Sequence, residues 1–98
     1  MDPDLPSIMV ADVVRSLAGR DKGKLFFVIG VDDKNLILAN GKDRTLEKPK
    51  TKKRKHAEML LRPETRVADK IRNGEIVHNS ELRRDLAYLS QQVQSIDL

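Results

Sequence analysis

Between Lys48 and His56 the chain reads KPKTKKRKH, with six cations, Lys48, Lys50, Lys52, Lys53, Arg54 and Lys55, and no carboxylate. These are six of its nineteen Lys and Arg residues, so this stretch carries a positive potential that the rest of the chain lacks. Its natural counterpart is a polyanion, and nucleic acid phosphate is the commonest polyanion in a cell. The competing reading is a solvated, flexible charge run. A second constellation lies upstream in SLAGRDKGK, Ser16 to Lys24. Gly19 and Gly23 let the backbone turn tightly and approach a ligand closely, and Arg20, Lys22 and Lys24 place cations around them. That combination suits a sugar-phosphate backbone; a glycine-rich turn with incidental charges is the alternative.

Other residue types offer less chemistry. His56 lies inside the lysine run and His78 in a polar stretch, with no second histidine at metal-ligand spacing and no cysteine in the chain. Asp32 and Asp33 are neighbours in a turn, where two carboxylates seldom converge on one substrate. Ser16 ends a strand and does not sit in a nucleophile elbow. The expectation is a binding protein, not an enzyme, with no cofactor and no metal.

Composition bounds the scaffold. The 98 residues make one small domain, with little room for a deep substrate cavity. Charged residues are 35% and apolar ones 39% of the chain, enough to build a core under a well-solvated surface. The net charge of +4 is uneven: thirteen Lys and Arg face nine Asp and Glu up to Leu61, and six face six from Arg62 onward. The absence of cysteine excludes disulfides. Asp2, Pro3, Asp4 and Pro6 stand where a secretory signal would need a basic start and an apolar stretch, and no apolar run approaches a membrane span, so a cytoplasmic protein without membrane association is expected.

The elements that must position these cations follow from period. Residues 1 to 7 read as a loose leader. From Met9 to Leu61, short apolar runs alternate with turn residues, which predicts strands. The first is MVADVVRSL. LFFVIGV, Leu25 to Val31, is apolar on both faces and is expected to be central. A polar turn at Asp32 to Asn35 leads into NLILA, and Asn40-Gly41 is a tight-turn dipeptide because both residues tolerate positive φ. A fourth strand is expected around Arg44 to Glu47, after which Pro49 and the lysine run break the pattern. HAEMLL, His56 to Leu61, gives the fifth. Five short strands suit a small closed barrel, since closure protects edges.

After Leu61 the period becomes helical. Pro63 fits the first position of a helix that contains Val67 and Ile71 and stops at Asn73-Gly74. Asn79 or Ser80 can cap a second helix, with Leu82, Leu86, Leu89 and Val93 on one stripe. Arg62, Arg66 and Lys70, spaced by four, would form a basic row. Phe26, Phe27 and Tyr88 all sit in apolar patterns that predict burial, which leaves no exposed ring for base stacking. Structured RNA gripped through phosphates and shape therefore fits better than a single strand, with DNA still open because phosphate contacts do not distinguish the sugars.

The segment DVVRSLAGRDKGKLFFVIGVD closely resembles the KOW motif, in which an apolar strand leads into a basic loop of the form S-x-A-G-R-D-K-G and then a hydrophobic strand. The likeness continues through NGKDRTLEKPKTKKRKH, similar to the segment after the motif in KOW-type large-subunit ribosomal proteins, and covers residues 8 to 61. It implies an SH3-like five-stranded barrel over 8–61, with the helical extension over 62–98 outside the resemblance. It also implies RNA binding through Gly19, Arg20, Lys22, Gly23 and Lys24. The fold class expected is mainly β with α, a barrel followed by a helical tail packed on or beside it. The expected function is ribosome- or translation-associated binding of structured RNA, ribosomal RNA included, with Lys48, Lys50, Lys52, Lys53, Arg54 and Lys55 extending the grip. Lys52, Lys53, Arg54 and Lys55 belong to no apolar face and are expected to be dispensable for folding. The rival is a protein-interaction module, with a ribosomal or transcription protein as partner and the helical tail as docking surface.

Overall fold

The computed structural model describes residues 7 to 97, with side chains as far as Val93. The expected leader falls, except for Ser7, outside the described residues. The elements are β1 (Val13–Ser16), β2 (Leu25–Val31), β3 (Asn35–Ala39), β4 (Lys50–Lys53), a 3₁₀ turn (Arg54–His56), β5 (Ala57–Leu61), α1 (Arg66–Arg72) and α2 (Asn79–Asp97). The five strands form one antiparallel sheet in the order β4-β3-β2-β1-β5. Leu25 to Val31 is indeed the central strand.

The edge strands β4 and β5 are consecutive in the chain, joined only by the 3₁₀ turn. A flat five-stranded sheet would hold its edges about 19 Å apart, four spacings of about 4.8 Å. The step from Lys53 to Ala57 reaches at most about 14 Å even fully extended. The sheet must therefore curl strongly, but it is not closed, since β4 and β5 share no ladder. Near the seam, backbone donors are satisfied by other means: Leu17 N–H bonds His56 O at 2.9 Å, and Arg54 N–H bonds Lys34 O at 2.9 Å.

Because β2 is apolar on both faces, the curled sheet has two cores. Val14, Phe26, Val28, Leu36 and Leu38 fill the concave side. Val13, Phe27 and Ala39 point the other way and meet Ala68 of α1 and Leu82, Leu86 and Leu89 of α2. The Leu82, Leu86, Leu89 and Val93 stripe is thus buried intramolecularly, as helical spacing requires.

Several local expectations need correction. The first strand is shorter than Met9 to Leu17, because Ala11 takes φ 74° and Met9 N–H bonds Asp12 Oδ2 at 2.8 Å, making a turn where strand was expected. The fourth strand is not at Arg44 to Glu47. There the chain is a loop, pinned by Asn40 Oδ1 accepting from Lys42 N–H at 2.9 Å and Arg44 N–H at 3.0 Å, and the strand forms inside the lysine run instead. Helix α1 starts after Thr65, whose hydroxyl caps Ala68 N–H at 3.1 Å, and not at Pro63. At α2 it is Glu81 that reaches back to His78 N–H at 3.1 Å, while Asn79 turns aside to accept from Leu46 N–H at 2.8 Å. The basic row is absent: Arg62 lies outside the helix and bonds buried Asp12 through two nitrogens, at 2.9 and 3.0 Å, and Lys70 pairs with Glu81 at 3.0 Å. Phe26 and Phe27 are buried, but Tyr88 is 55% exposed, on a face of α2 away from the leucine stripe.

Candidate nucleic-acid interface

The loop between β1 and β2 is closed by its own backbone. Ser16 N–H bonds Lys24 O at 3.0 Å, Gly23 N–H bonds Ser16 O at 2.8 Å, and Lys24 N–H bonds Asp21 O at 3.0 Å. Gly19 and Gly23 take φ 84° and 89°, the left-handed region in which glycine is least strained.

What fixes the loop in space is Lys52. Directly opposite Leu36 in the β3–β4 ladder, it points to the concave side, and its ammonium reaches Ser16 Oγ at 2.8 Å, Ala18 O at 2.7 Å and Asp21 Oδ1 at 2.8 Å. The side chains of Lys52 and Asp21 are 7% and 9% exposed. Burial alone would raise the Asp21 carboxyl, yet the hydrogen bonds from Lys52 and Ser16 outweigh it and hold the group below the ordinary carboxylate value. Asp21 Oδ2 is buried without a partner, so the carboxylate depends heavily on what its other oxygen accepts. Lys52 is therefore a structural clamp. The premise that this side chain lies outside any packed face does not hold, since Lys52 is buried on the side of the sheet that Leu36 fills.

The clamp joins the two basic segments that the sequence separates by more than twenty residues. Beside it lies a depression of about 440 Å³ walled by Arg20, Asp21, Lys24, Asp43, Arg44 and Lys50. Its carboxylates are already matched, Asp21 by Lys52 at 2.8 Å and Asp43 by Lys24 at 2.6 Å. The hydrogen bond from Lys24 is the main reason the Asp43 carboxyl is held below its ordinary value. The side chains of Arg20, Arg44 and Lys50 around the cup form no ion pair among the described residues, although the nearby Lys50 charge also helps hold the Asp21 carboxyl low. An adjoining depression, which shares Lys50 with the cup, is lined also by Gly19, Lys53 and His56.

The remaining residues singled out from sequence are distributed as follows. Lys22 is exposed on the loop. Lys48 is exposed in the turn before β4, where its N–H bonds Thr45 O at 3.1 Å, and walls neither depression. Arg54 is engaged with Asp32 O at 2.8 Å and Ile8 O at 3.3 Å, bracing the β2–β3 turn. Lys55 lies with Lys34 and Asn35 beside that turn and lines neither depression. The residue that sequence reasoning missed is Arg44, read as part of a strand; the turn chemistry of Asn40-Gly41 was the signal that its neighbourhood is a loop. Asp21 was visible as the lone carboxylate of the basic loop.

No protein-family model matches the chain, and no curated protein matches its sequence. Among the described residues there is no group of His, Cys, Asp and Glu able to hold a metal ion, and no helix is long and apolar enough to cross a membrane.

Proposed function

We propose that this chain is an RNA-binding protein of the KOW type, associated with translation, that holds structured RNA such as ribosomal RNA through the Gly19 to Lys24 loop and the lysine-rich strand beside it. The observation that carries the reading is the Lys52 clamp, which unites two basic segments and leaves Arg20, Arg44 and Lys50 around one cup without ion pairs among the described residues. Three cations around a concave surface attract phosphate, and the clamped loop backbone that carries Arg20 reduces the ordering cost of binding. The strong curl of the sheet, with its two edges joined by a single 3₁₀ turn, supports the SH3-like barrel that the resemblance implies. Phe26 and Phe27 are buried and Tyr88 does not line the cup, which favours a duplex or folded RNA over a stacked single strand. The stripe that a helical docking module would use is packed against the sheet.

With Arg20, Lys22, Arg44, Lys50 and Lys53 each meeting one phosphate, the salt slope is about −4.5, so affinity for an RNA stem-loop falls about 500-fold between 50 and 200 mM salt. Fluorescence anisotropy across salt concentrations measures it. No binding at low salt, or a flat slope, removes the reading.

A further inference from the structure

We infer that α2 is the second wall of the RNA surface, through a groove that continues the cup past Lys24; the inference rests on the RNA reading above. The groove, of about 400 Å³, runs between the 40–44 turn and α2 and shares Lys24 and Asp43 with the cup. Those two neutralise each other at 2.6 Å. Lys42 and Arg83 then supply the groove's net positive charge, so the potential of the cup extends toward the helix.

The groove is held in shape by a close approach. Arg83 donates from Nη1 to Gly41 O at 2.6 Å, which aims its guanidinium while leaving the other donors of the fork for a ligand. On the helix wall stand Ala87 and Ser90, whose small side chains let a sugar-phosphate strand lie close. Ser90 spends its proton on Ala87 O at 2.8 Å, so its oxygen faces a ligand as an acceptor. An acceptor between phosphate-binding cations suits a ribose 2′-hydroxyl, a donor that RNA has and DNA lacks. The helical extension, which shares no motif with the basic loop, thereby becomes part of the same interface.

The test compares two variants of equal net charge, Ala87→Glu inside the groove and Gln92→Glu outside it, both exposed positions on one helix. Titrated with the same RNA stem-loop at low salt, Ala87→Glu weakens binding about five- to tenfold, as one charge facing one or two phosphates across partly screened solvent requires. Gln92→Glu changes it less than twofold. Lys42→Gln, an exposed turn residue whose side chain bonds nothing among the described residues, lowers the salt slope by about 0.9 without depending on the helix. Equal effects of the two Glu variants, or an unchanged slope for Lys42→Gln, overturn the α2 wall while wild-type binding and its sensitivity to cup variants keep the RNA reading intact. If the wild type binds no RNA, both fall together.

Discussion

Replacing Lys52 with Met keeps an apolar side chain as far as Cε and removes the ammonium that joins β4 to the β1–β2 loop. Three acceptors then lose their donor: Ser16 Oγ, Ala18 O and Asp21 Oδ1. The Ser16 hydroxyl has one proton, within reach of Asp21 Oδ1 at 2.8 Å and Ala18 O at 3.0 Å, so it cannot serve both. Asp21 would retain that one donor at most, with Oδ2 already unpartnered. Leaving one member of a buried pair without its partner costs about 3–5 kcal/mol. In a domain of this size that lowers Tm by roughly 15–25 °C. The neighbouring Lys53→Met, on an exposed side chain, changes stability by less than about 0.5 kcal/mol. Adding Asp21→Asn to Lys52→Met restores part of the loss, because the uncompensated charge is gone, and the double-mutant cycle isolates the coupling. Urea unfolding followed by circular dichroism measures the four proteins of the cycle, wild type and Asp21→Asn included, together with Lys53→Met. Equal midpoints for Lys52→Met and Lys53→Met would refute the clamp and, with it, the argument that the loop is fixed beside the cup.

Two further outcomes follow from the same structure. Gly41→Ala is strongly destabilising, by about 2–4 kcal/mol, since φ is 78° and an added Cβ would overlap the backbone oxygen of Asn79. Gly23→Ala, also at positive φ but facing open space, costs only about 1–2 kcal/mol; a reversed order in urea midpoints would contradict the docking of the turn on α2. Asp21, held below its ordinary value of 3.8, contributes stability that is present above that value and lost as pH falls through its folded-state value. Asp21→Asn therefore flattens the acid limb of stability against pH below about 4, and an unchanged limb would show that other carboxylates govern it.

The apolar elements were legible. Leu25 to Val31 and Asn35 to Ala39 appear as strands at those residues because β-branched and aromatic side chains fill both sides of the curled sheet. The leucines of α2 declare their face by spacing alone. Strand β4 was hidden because Lys-Thr-Lys-Lys has no apolar alternation to read. Its inward residue is a lysine, and what makes that burial tolerable is a carboxylate 31 residues away and a hydroxyl 36 away. No local pattern reports such a pairing. Asn40-Gly41 forms the turn that its tolerance of positive φ predicts, with Gly41 at φ 78°; the second demand for glycine there, the approach of α2, is a tertiary contact that no local pattern reports. Tyr88 was expected in the core because it sits among leucines in sequence, yet helical periodicity carries it off their stripe. Within the candidate site, charge was legible and its use was not. Lys52 and Arg54 are engaged inside the fold, and Arg44 enters the cup from a loop that had been expected to be strand.

In the proposed function, cations gathered in one cup, not diffuse positive charge, hold the RNA. The direct measurement is the salt dependence of stem-loop binding for wild type, for Arg20→Gln/Arg44→Gln/Lys50→Gln in the cup, and for Lys34→Gln/Lys55→Gln/Arg66→Gln elsewhere on the surface. Both variants remove three charges. The cup variant is predicted to lower the slope by about 2.7, about 0.9 for each lost contact, while the other leaves it close to that of wild type. Equal slopes for the two variants would show that RNA binding, if present, follows net charge alone and would contradict the cup.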